Sequence, residues 1–356
     1  MQRNNSSHRA YVALRILLLG VCIGSAVAGK PGAKPSVTVA AHGRADFKTV
    51  QAAVEAAPPQ GSVILIAPGV YREKLSIAKN GIELRGMGRK PDQVVLTFDD
   101  GARFVGGTSK SGSVIVTADD FIAENLTIQN DFERTHDRSE EGSQAVALML
   151  TGDREVLRKV RLLGYQDTLY ATSRTCHTPE DTRGRPCHAS RQLFQDCYIE
   201  GHVDFIFGDA TAVFDRCELH AVAHPVVTIT AQSRLYPMED SGYLFLHCTI
   251  TAARNVGVLL LGRPWRAYSK VYFIDTRLKG ARLAPAGWAE WSGRLATSDY
   301  AEFGTVQDGG TLDDTSERLP PARQLTAAEA ASLSVQEWLS GQNDSKSDGW
   351  NAELVR

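Results

Sequence analysis

Short apolar runs separated by turn residues make up most of the chain after about residue 60. They include SVILIAPGVY, GIELRGMG, GSVIVTADDFIAENLTIQN, VVTITAQS and VGVLLLGRPW. Most are rich in Val, Ile, Leu and Phe, alternate only weakly with polar residues, and have few long helical patterns between them. A doubly wound α/β fold needs a helix after nearly every strand and is therefore excluded. An antiparallel sandwich remains an alternative at this level.

A recurring phrase favours a stack of coils. The segments ADDFIAENLTIQN, ASRQLFQDCYIEGHVD, DATAVFDRCELHA and DSGYLFLHCTITA each place an apolar residue, two or three spacers, a small or polar residue and another apolar pair. The phrase returns every 20 to 30 residues or so, a spacing typical of solenoids. In a parallel β-helix each coil gives short strands to long parallel sheets and buries its face only against its neighbours. We therefore predict an all-β, right-handed parallel β-helix.

The two ends of the domain have helical patterns. RADFKTVQAAVEAAPP predicts a short N-terminal helix with one apolar face, with Asp46 as its N-cap, lying as a lid on the core. Near the C-terminus, Thr326 and Glu329 have the spacing of a capping box, and VQEWL follows them. Because an exposed apolar tail would promote association, we expect this tail to fold back on the solenoid.

The first residues have the pattern of a secretory signal. Three arginines precede the apolar stretch ILLLGVCIGSAVA, whose last residues are small, so cleavage is predicted after Ala28. Cys22 offers a lipid anchor as an alternative, but Val21 is a poor residue before a lipidated cysteine. We expect a secreted protein, periplasmic or extracellular, whose residues 29–356 form a single domain with a core at about 46–338 and a polar tail.

Composition and charge limit the partners. The 356 residues are 43% hydrophobic and 22% charged, an ordinary globular balance. Loss of residues 1–28 removes three arginines and no acid, which leaves 36 basic against 41 acidic side chains. A modestly acidic protein does not attract nucleic acid over long range, so any cations for an acidic substrate must be local. We expect no nucleic-acid or membrane partner, and a monomer.

Five cysteines remain in the mature chain. Cys197 and Cys217 each end an F-x-x-C phrase and are 20 residues apart, close to one coil, so a disulfide between them is expected. Cys176 and Cys187 lie in one polar loop and could close it, which leaves Cys248 over. The alternative is that all five are free buried thiols.

Several common catalytic motifs are missing from the sequence. It contains no G-x-S-x-G elbow, no phosphate loop, no dinucleotide fingerprint and no Cys/His cluster with convincing zinc spacing. A hydrolase built on serine or on a metal is therefore not indicated, and we expect neither a metal nor a cofactor.

The remaining chemistry consists of acids and amides beside aromatic residues. Asp204 lies within the apolar run of GHVDFIFGDATAVF, where an unpaired carboxylate would cost several kcal/mol to keep ionised. GYQDTLY contains Gln166 and Asp167, GSQAVALML contains Gln144, and LGRPW contains Arg263. Each of these four also has a structural explanation, such as a turn cap for Asp167 or a surface position for Arg263. Asp204 is the hardest to explain structurally.

These motifs carry a family resemblance. GVYREK, GSQAVAL, GYQDTLY, GHVDFIFGDATAVF and LGRPW resemble, in order, the motifs of pectin methylesterases, and the resemblance spans roughly Asp46 to Trp338. It implies a right-handed parallel β-helix and a cofactor-free aspartyl esterase that acts on the polysaccharide pectin. The implied catalytic residues are Asp204 as nucleophile, Asp167 as general acid/base, Gln144 and Gln166 as oxyanion donors, and Arg263 as the partner of Asp204. The implied aromatic residues of the sugar cleft are Tyr170, Phe207, Trp265 and Trp288.

The physical properties of these residues fit the implied roles. A guanidinium at Arg263 would keep Asp204 ionised, whereas Asp167, beside a second negative charge, would hold its proton and could protonate the departing methanol. Neutral amides suit the oxyanion. One conflict remains, because strict strand alternation puts Asp204 and Phe207 on opposite faces; Phe207 reaches the cleft only if the strand bends, for example at Gly208.

Three other functions stay open at this level. A β-helical glycoside hydrolase would also use paired aspartates on an acidic polysaccharide, but the two glutamines suit an acyl oxyanion better. A carbohydrate-binding protein without catalysis would be expected to lack Asp167, Asp204 or Arg263, and all three are present. An esterase or thioesterase with a non-pectin substrate is disfavoured only by the aromatic residues, which suit stacking on sugar faces.

Overall fold

The structure is a computed structural model that describes residues 34–136, 143–174, 190–340 and 348–355, together with the backbone of 187–188. The described residues belong to one compact unit. The predicted signal segment and most of the Cys176–Cys187 loop lie outside the described residues.

Three long parallel sheets form the described part of the chain. The first sheet contains Ser36–Val39, Val63–Ile66, Glu83–Gly86, Ile122–Glu124, Glu155–Arg158, Arg191–Gln195, Thr211–Asp215, Gly242–Leu246, Lys270–Ile274, Asp299–Phe303 and Arg323–Gln324. The second sheet contains Gly69–Arg72, Val94–Phe98, Thr127–Asn130, Arg161–Leu163, Tyr198–Gly201, Glu218–Ala221, Thr249–Ala252 and Arg277–Lys279. The third sheet contains Leu75–Ile77, Val114–Val116, Leu148–Leu150, Leu169–Ala171, Val203–Gly208, Val226–Gln232 and Val258–Gly262.

Strand neighbours come from successive coils rather than from successive positions in the chain. Thr211–Asp215, for example, pairs in parallel with Arg191–Gln195 on one side and Gly242–Leu246 on the other. The chain thus visits the first, second and third sheet in turn, and each circuit adds one coil. This confirms the predicted right-handed parallel β-helix and excludes the antiparallel sandwich.

Few short helices interrupt this pattern in the described residues. The α-helices are Val50–Ala56, Ala102–Val105, Phe132–Thr135, Ala327–Ala331 and Val335–Ser340. The 3-10 helices are Pro91–Gln93, Thr108–Lys110, Arg294–Thr297 and Ala352–Leu354. The small pair Cys187–His188 and Glu239–Asp240 forms a further two-stranded sheet. No helix in this part of the molecule is long and apolar enough to cross a membrane.

A left-handed residue at the corner between the first and second sheets explains the recurring phrase. At this corner φ is between +51° and +56° in six coils. The residues concerned are Asn125, Lys159, Asp196, Arg216, His247 and Asp275. This single residue turns the chain from a strand of the first sheet into a strand of the second, so the inward apolar positions before and after it repeat from coil to coil. Asn and Asp accept this conformation readily, whereas Lys, Arg and His pay a cost of about 1–2 kcal/mol.

The interior of the solenoid is filled by side chains stacked in register. Phe194, Phe214, Phe245 and Phe273 lie above one another on successive strands of the first sheet. Their ring centroids are 4.6, 4.4 and 4.2 Å apart and the rings are nearly parallel. Such offset stacks hold adjacent coils in a fixed register. The loops that connect the strands of these coils are held in place in the same way.

The cysteines form a second stack, but the predicted Cys197–Cys217 disulfide is wrong. Cys197, Cys217 and Cys248 are free, fully buried thiols. They precede paired strands in register, so their Cβ atoms point the same way at the spacing of parallel strands, about 4.8 Å, beyond the 3.5–4.5 Å that a disulfide favours. The prediction that Cys197 and Cys217 occupy equivalent positions in successive coils is therefore confirmed, whereas the prediction that they form a disulfide is wrong.

The N-terminal helix caps the core as predicted, with a different N-cap. Thr49 is the N-cap residue of Val50–Ala56, and its side chain accepts a hydrogen bond from the Ala52 amide. The amides of Val50 and Gln51 donate to the carboxylate of Glu73 at 2.8 and 2.9 Å. Asp46 instead accepts bonds from Thr38, so the prediction of Asp46 as N-cap is wrong.

The C-terminal segment folds back on the first sheet, as predicted. Thr326 and Glu329 form the expected capping box. The helix Val335–Ser340 buries Trp338, whose indole Nε1 donates to the carbonyl of Gly242 at 3.2 Å. This helix covers apolar side chains on the outer face of the first sheet.

Candidate active site

A cleft of about 510 Å³ lies over the outer face of the third sheet. The residues that line it are Thr108, Ser109, Gln144, Gln166, Asp167, Tyr170, Asp204, Phe207, Ala231, Arg263, Trp265 and Trp291. Every residue that the sequence implied for catalysis is among them. They come from positions 144 to 263 of the chain, and the stacking of five successive coils brings them together.

A β-bulge places Asp204 in the cleft. Val203 pairs with Thr228 and Ile206 with Thr230, so the strand Val203–Gly208 contains one more residue than its neighbour at this point. Asp204 is in the left-handed conformation, with φ of +53°. The extra residue shifts the alternation, so Asp204 and Phe207 both face outward. This resolves the conflict between their predicted positions, and the bend comes at Asp204 rather than at Gly208.

Arg263 holds the Asp204 carboxylate with two parallel hydrogen bonds. Its Nε donates to Oδ1 at 2.8 Å and its Nη2 to Oδ2 at 2.6 Å. The Thr228 hydroxyl also donates to Oδ1, at 2.6 Å, and accepts from the Asp204 amide at 2.9 Å. The guanidinium lies over the ring of Trp291, 4.2 Å from its centroid, which fixes its plane. Asp204 is therefore an oriented carboxylate whose Oδ2 has fewer partners than its Oδ1.

Asp167 stands in a contrasting environment. It follows the second-sheet strand Arg161–Leu163 in a loop and is also left-handed, with φ of +64°. Its amide donates to the carbonyl of Val203 at 3.1 Å, which ties this loop to the next coil beside Asp204. Burial raises the pKa of the Asp167 carboxyl well above its usual value, the nearby charge of Asp204 raises it further, and Arg263 opposes both effects. The two acids thus differ in environment: Asp204 is paired with Arg263, whereas Asp167 is buried and its pKa is raised.

The two glutamines come from neighbouring coils. The hydroxyl of Ser143 donates to Oε1 of Gln166 at 3.2 Å, which orients the amide and leaves its Nε2 group to donate elsewhere. Gln144 lines the cleft, and its carbonyl accepts from the amide of Ala102 at 2.8 Å. Ser143 and Thr228 were missed at the sequence level, because their roles depend on contacts between coils. The motif GSQAVAL contains Ser143, but nothing in the sequence indicates that its hydroxyl bonds to Gln166.

Aromatic side chains form one wall of the cleft. The rings of Tyr170 and Phe207 stack with centroids 4.2 Å apart, since these residues are direct neighbours in the third sheet. Trp265 meets Phe207 edge-on at 5.9 Å, in the space above the small Ala231. This places three of the four predicted sugar-cleft aromatics together.

The structure contradicts the prediction for Trp288. Its side chain is fully buried, stacks on Tyr300 at 4.2 Å and donates from Nε1 to Glu302 at 3.2 Å. A ring without exposed surface cannot contact a substrate. Trp291, three residues later, lines the cleft in its place.

The cleft contains no arrangement suited to a metal. Within the described parts of the chain, no group of three or more His, Cys, Asp or Glu side chains is placed to hold a metal ion. Asp204 is paired with Arg263, and the acids and amides of the cleft can supply a nucleophile, a proton donor and amide donors.

Comparisons with known proteins agree with this geometry. The family model described as Pectinesterase matches residues 36–342. Pectinesterase 31 of Arabidopsis thaliana is 36% identical over 308 residues, which cover 83% of this chain and 89% of that protein. Several other plant relatives, named as pectinesterase/pectinesterase inhibitors, are longer, and the chain spans 46–58% of their length.

Solved structures give the same result. The pectin methylesterase from carrot superposes with a TM-score of 0.71 at 30% identity, covering 85% of this chain and 92% of that one. A pectin methylesterase in complex with a hexasaccharide superposes with a TM-score of 0.68 at 27% identity, covering 85% and 96%. The family match over most of the chain, the shared fold and the assembled acids lead to one conclusion: this chain belongs to the pectinesterase family of carboxylic ester hydrolases.

Proposed function

We propose that this pectinesterase removes methyl esters from pectin through a covalent intermediate on Asp204. The observation that carries the proposal is the pair of unlike acids in one cleft. Asp204 is held by the fork of Arg263, whereas Asp167 is buried, with a raised pKa. Such a difference in environment lets one carboxylate attack while the other acid supplies a proton.

In the first step, Asp204 attacks the carbonyl carbon of the methyl ester. Oδ2 is the attacking atom, because Oδ1 already accepts from both Arg263 and Thr228. As the tetrahedral intermediate forms, the amide groups of Gln144 and Gln166 donate to its oxyanion, each contributing about 3 kcal/mol in comparable sites. The bond to the methoxy group then breaks, Asp167 gives its proton to that oxygen, and methanol leaves.

In the second step, water regenerates the enzyme. Asp167 is now a carboxylate and takes a proton from the water that attacks the acyl group joined to Asp204. The bond to Asp204 breaks, and Asp204 returns as a carboxylate paired with Arg263. The products are methanol and a carboxylic acid on the polysaccharide, which loses its proton to the solvent, and Asp167 ends protonated as it began.

The aromatic wall supports a polysaccharide substrate. Tyr170, Phe207 and Trp265 present ring faces and edges beside the acids, which suits stacking on the apolar faces of galacturonosyl rings. A structural relative that binds a hexasaccharide supports the same substrate class. A glycoside hydrolase forms no oxyanion that amides need to stabilise, whereas Gln144 and Gln166 line the cleft beside the two acids.

We also propose how the protein is processed and where it acts. Residues 1–28 are removed as a signal peptide, and residues 29–356 act outside the cytoplasm as a monomeric, metal-free enzyme. The apolar stretch before Ala28 and its small final residues support this.

A direct assay tests the proposed activity. Purified mature protein should release methanol from methylated polygalacturonate, release none from the demethylated polymer, and produce no new reducing ends. Reducing ends without methanol would instead indicate glycosidic cleavage. An unchanged rate after treatment with a chelator would support the metal-free mechanism, and a loss restored by one metal would refute it.

A further inference from the structure

Beneath the cleft, a buried acid and a buried histidine join three coils. Glu133 and His202 are 5% and 6% exposed, and neither lines the cleft. The Oε2 atom of Glu133 is 3.1 Å from Nε2 of His202, and its Oε1 accepts from the backbone amide of Gln166 at 3.3 Å. Glu133 projects from the short helix Phe132–Thr135, one coil before Gln166 and two coils before His202.

The hydrogen bonds of His202 fix which of its nitrogens carries the proton. Its Nδ1 accepts from the amide of Val203 at 2.7 Å, so in the neutral ring Nε2 carries the proton and donates to Glu133. The carboxylate of Glu133 thus accepts from two donors on two different coils. The His202 ring is also stacked on His224, with centroids 4.4 Å apart, which restricts its rotation.

The two donors lie one and two positions before the aspartates. Gln166 precedes Asp167, and Val203, whose amide His202 holds, precedes Asp204. Asp167 and Asp204 both adopt left-handed backbone conformations, with φ of +64° and +53°. The Glu133–His202 pair supplies hydrogen bonds at these two points.

We propose that Glu133 and His202 form a positioning pair that sets the relative placement of Asp167 and Asp204. The pair touches neither the substrate nor the reacting atoms, and it acts through the backbone of the residues before the two acids. The inference rests on the proposed mechanism, in which both acids must reach one ester group at once. A shift of about 1 Å between such groups can lower a rate roughly 100-fold.

Two variants test the pair, and each is chosen to keep the bond to one backbone amide while it breaks the link between the two side chains. In Glu133→Gln the side chain can still accept from the Gln166 amide, but its NH₂ group meets the Nε2–H of His202. In His202→Asn the side-chain oxygen can replace Nδ1 and keep the Val203 bond, but the side chain is too short to reach Glu133. We expect each to lower kcat for methanol release about 10- to 100-fold while KM changes less than about twofold. The double variant should be no slower than the slower single variant, because both break one link.

A buried carboxylate elsewhere provides the matched control. The side chain of Asp215 is 4% exposed and pairs with Arg216 at 2.6 Å, outside the cleft. Asp215→Asn should lower the melting temperature about as much as Glu133→Gln and leave kcat unchanged. Wild-type kcat in Glu133→Gln and His202→Asn, with lowered melting temperatures alone, would overturn the positioning role. The wild-type protein, assayed first, tests the proposed function separately, because its methanol release does not depend on what the variants do.

Discussion

The guanidinium of Arg263 donates to both carboxylate oxygens of Asp204, at 2.8 and 2.6 Å. The two residues are 59 positions apart in the chain and meet because Asp204 lies near the start of the third-sheet strand Val203–Gly208, and Arg263 directly follows Val258–Gly262, two coils later. The planar fork orients the carboxylate as well as neutralising it. Asp167 lies beside this pair, and burial together with the charge of Asp204 raises the pKa of its carboxyl.

Replacing Arg263 with lysine should remove the orientation while keeping the charge. An ammonium is a point donor and cannot bond both oxygens in parallel, nor lie flat on Trp291. We expect kcat to fall roughly 100-fold or more, because a carboxylate that loses its fixed orientation can shift by about 1 Å, and such a misplacement can lower a rate about 100-fold. Steady-state methanol release measures this change, and a variant within a factor of three of wild type would contradict the role of the fork.

The raised pKa of Asp167 predicts an alkaline limit to activity. The first step needs Asp167 protonated, so kcat should fall as pH rises through its raised pKa. Asp167→Asn should lose most of the activity and show no such limb in what remains. A pH–rate profile of both proteins measures this, and the same alkaline limb in the variant would assign it to another group.

Asp167 should also lower stability at neutral pH. Because its folded pKa is raised, the unfolded chain releases this proton above about pH 4 while the folded protein keeps it, so stability falls as pH rises from about 4 to the folded pKa. Asp167→Asn removes this loss. The melting temperature of the variant relative to wild type should therefore be higher at pH 7 than at pH 4, and a difference independent of pH would contradict the burial of an acidic Asp167.

Two tryptophans should respond in opposite ways to truncation. Trp265→Ala removes part of the exposed wall and should raise KM several-fold with little change in melting temperature. Trp288→Ala opens a cavity in the core and should destabilise the fold by about 3–5 kcal/mol. Thermal melts and KM values on methylated pectin distinguish them, and an increase in KM confined to Trp288→Ala would reverse our assignment.

The cysteine stack should contain only thiols. After unfolding without reductant, alkylation should modify Cys197, Cys217 and Cys248, and none should react in the folded protein because all three are buried. Mass spectrometry of the peptides identifies each site. A disulfide that includes any of these three would contradict the structure.

Much of the fold could be predicted because a solenoid repeats its pattern locally. The phrase around Cys197 and Cys217 recurs since each coil needs the same corner and the same inward side chains. The two acids, the two glutamines and the arginine could be predicted as site residues because each belongs to a motif in which a polar side chain stands directly beside an apolar strand. Asp204 in particular stands where an unpaired charge would be costly.

Other features depend on contacts that one strand does not encode. The bulge at Asp204 appears only when its strand is paired with Val226–Gln232, so alternation alone misplaced Phe207. Trp288 and Trp291 are three residues apart in the segment GWAEWSG. The first is buried and the second lines the cleft, and so short a turn has no hydrophobic periodicity from which this could be predicted. Ser143 and Thr228 acquire their roles from neighbouring coils.

The measurement that bears most directly on Asp204 as nucleophile is methanol release by Asp204→Asn. An asparagine keeps the size of the side chain and an oxygen for Arg263, so the variant should fold with a melting temperature near that of wild type. We expect its turnover on methylated polygalacturonate to fall by at least about 1,000-fold, because the attacking carboxylate is gone. Turnover near the wild-type rate in the folded variant would show that Asp204 does not attack the ester.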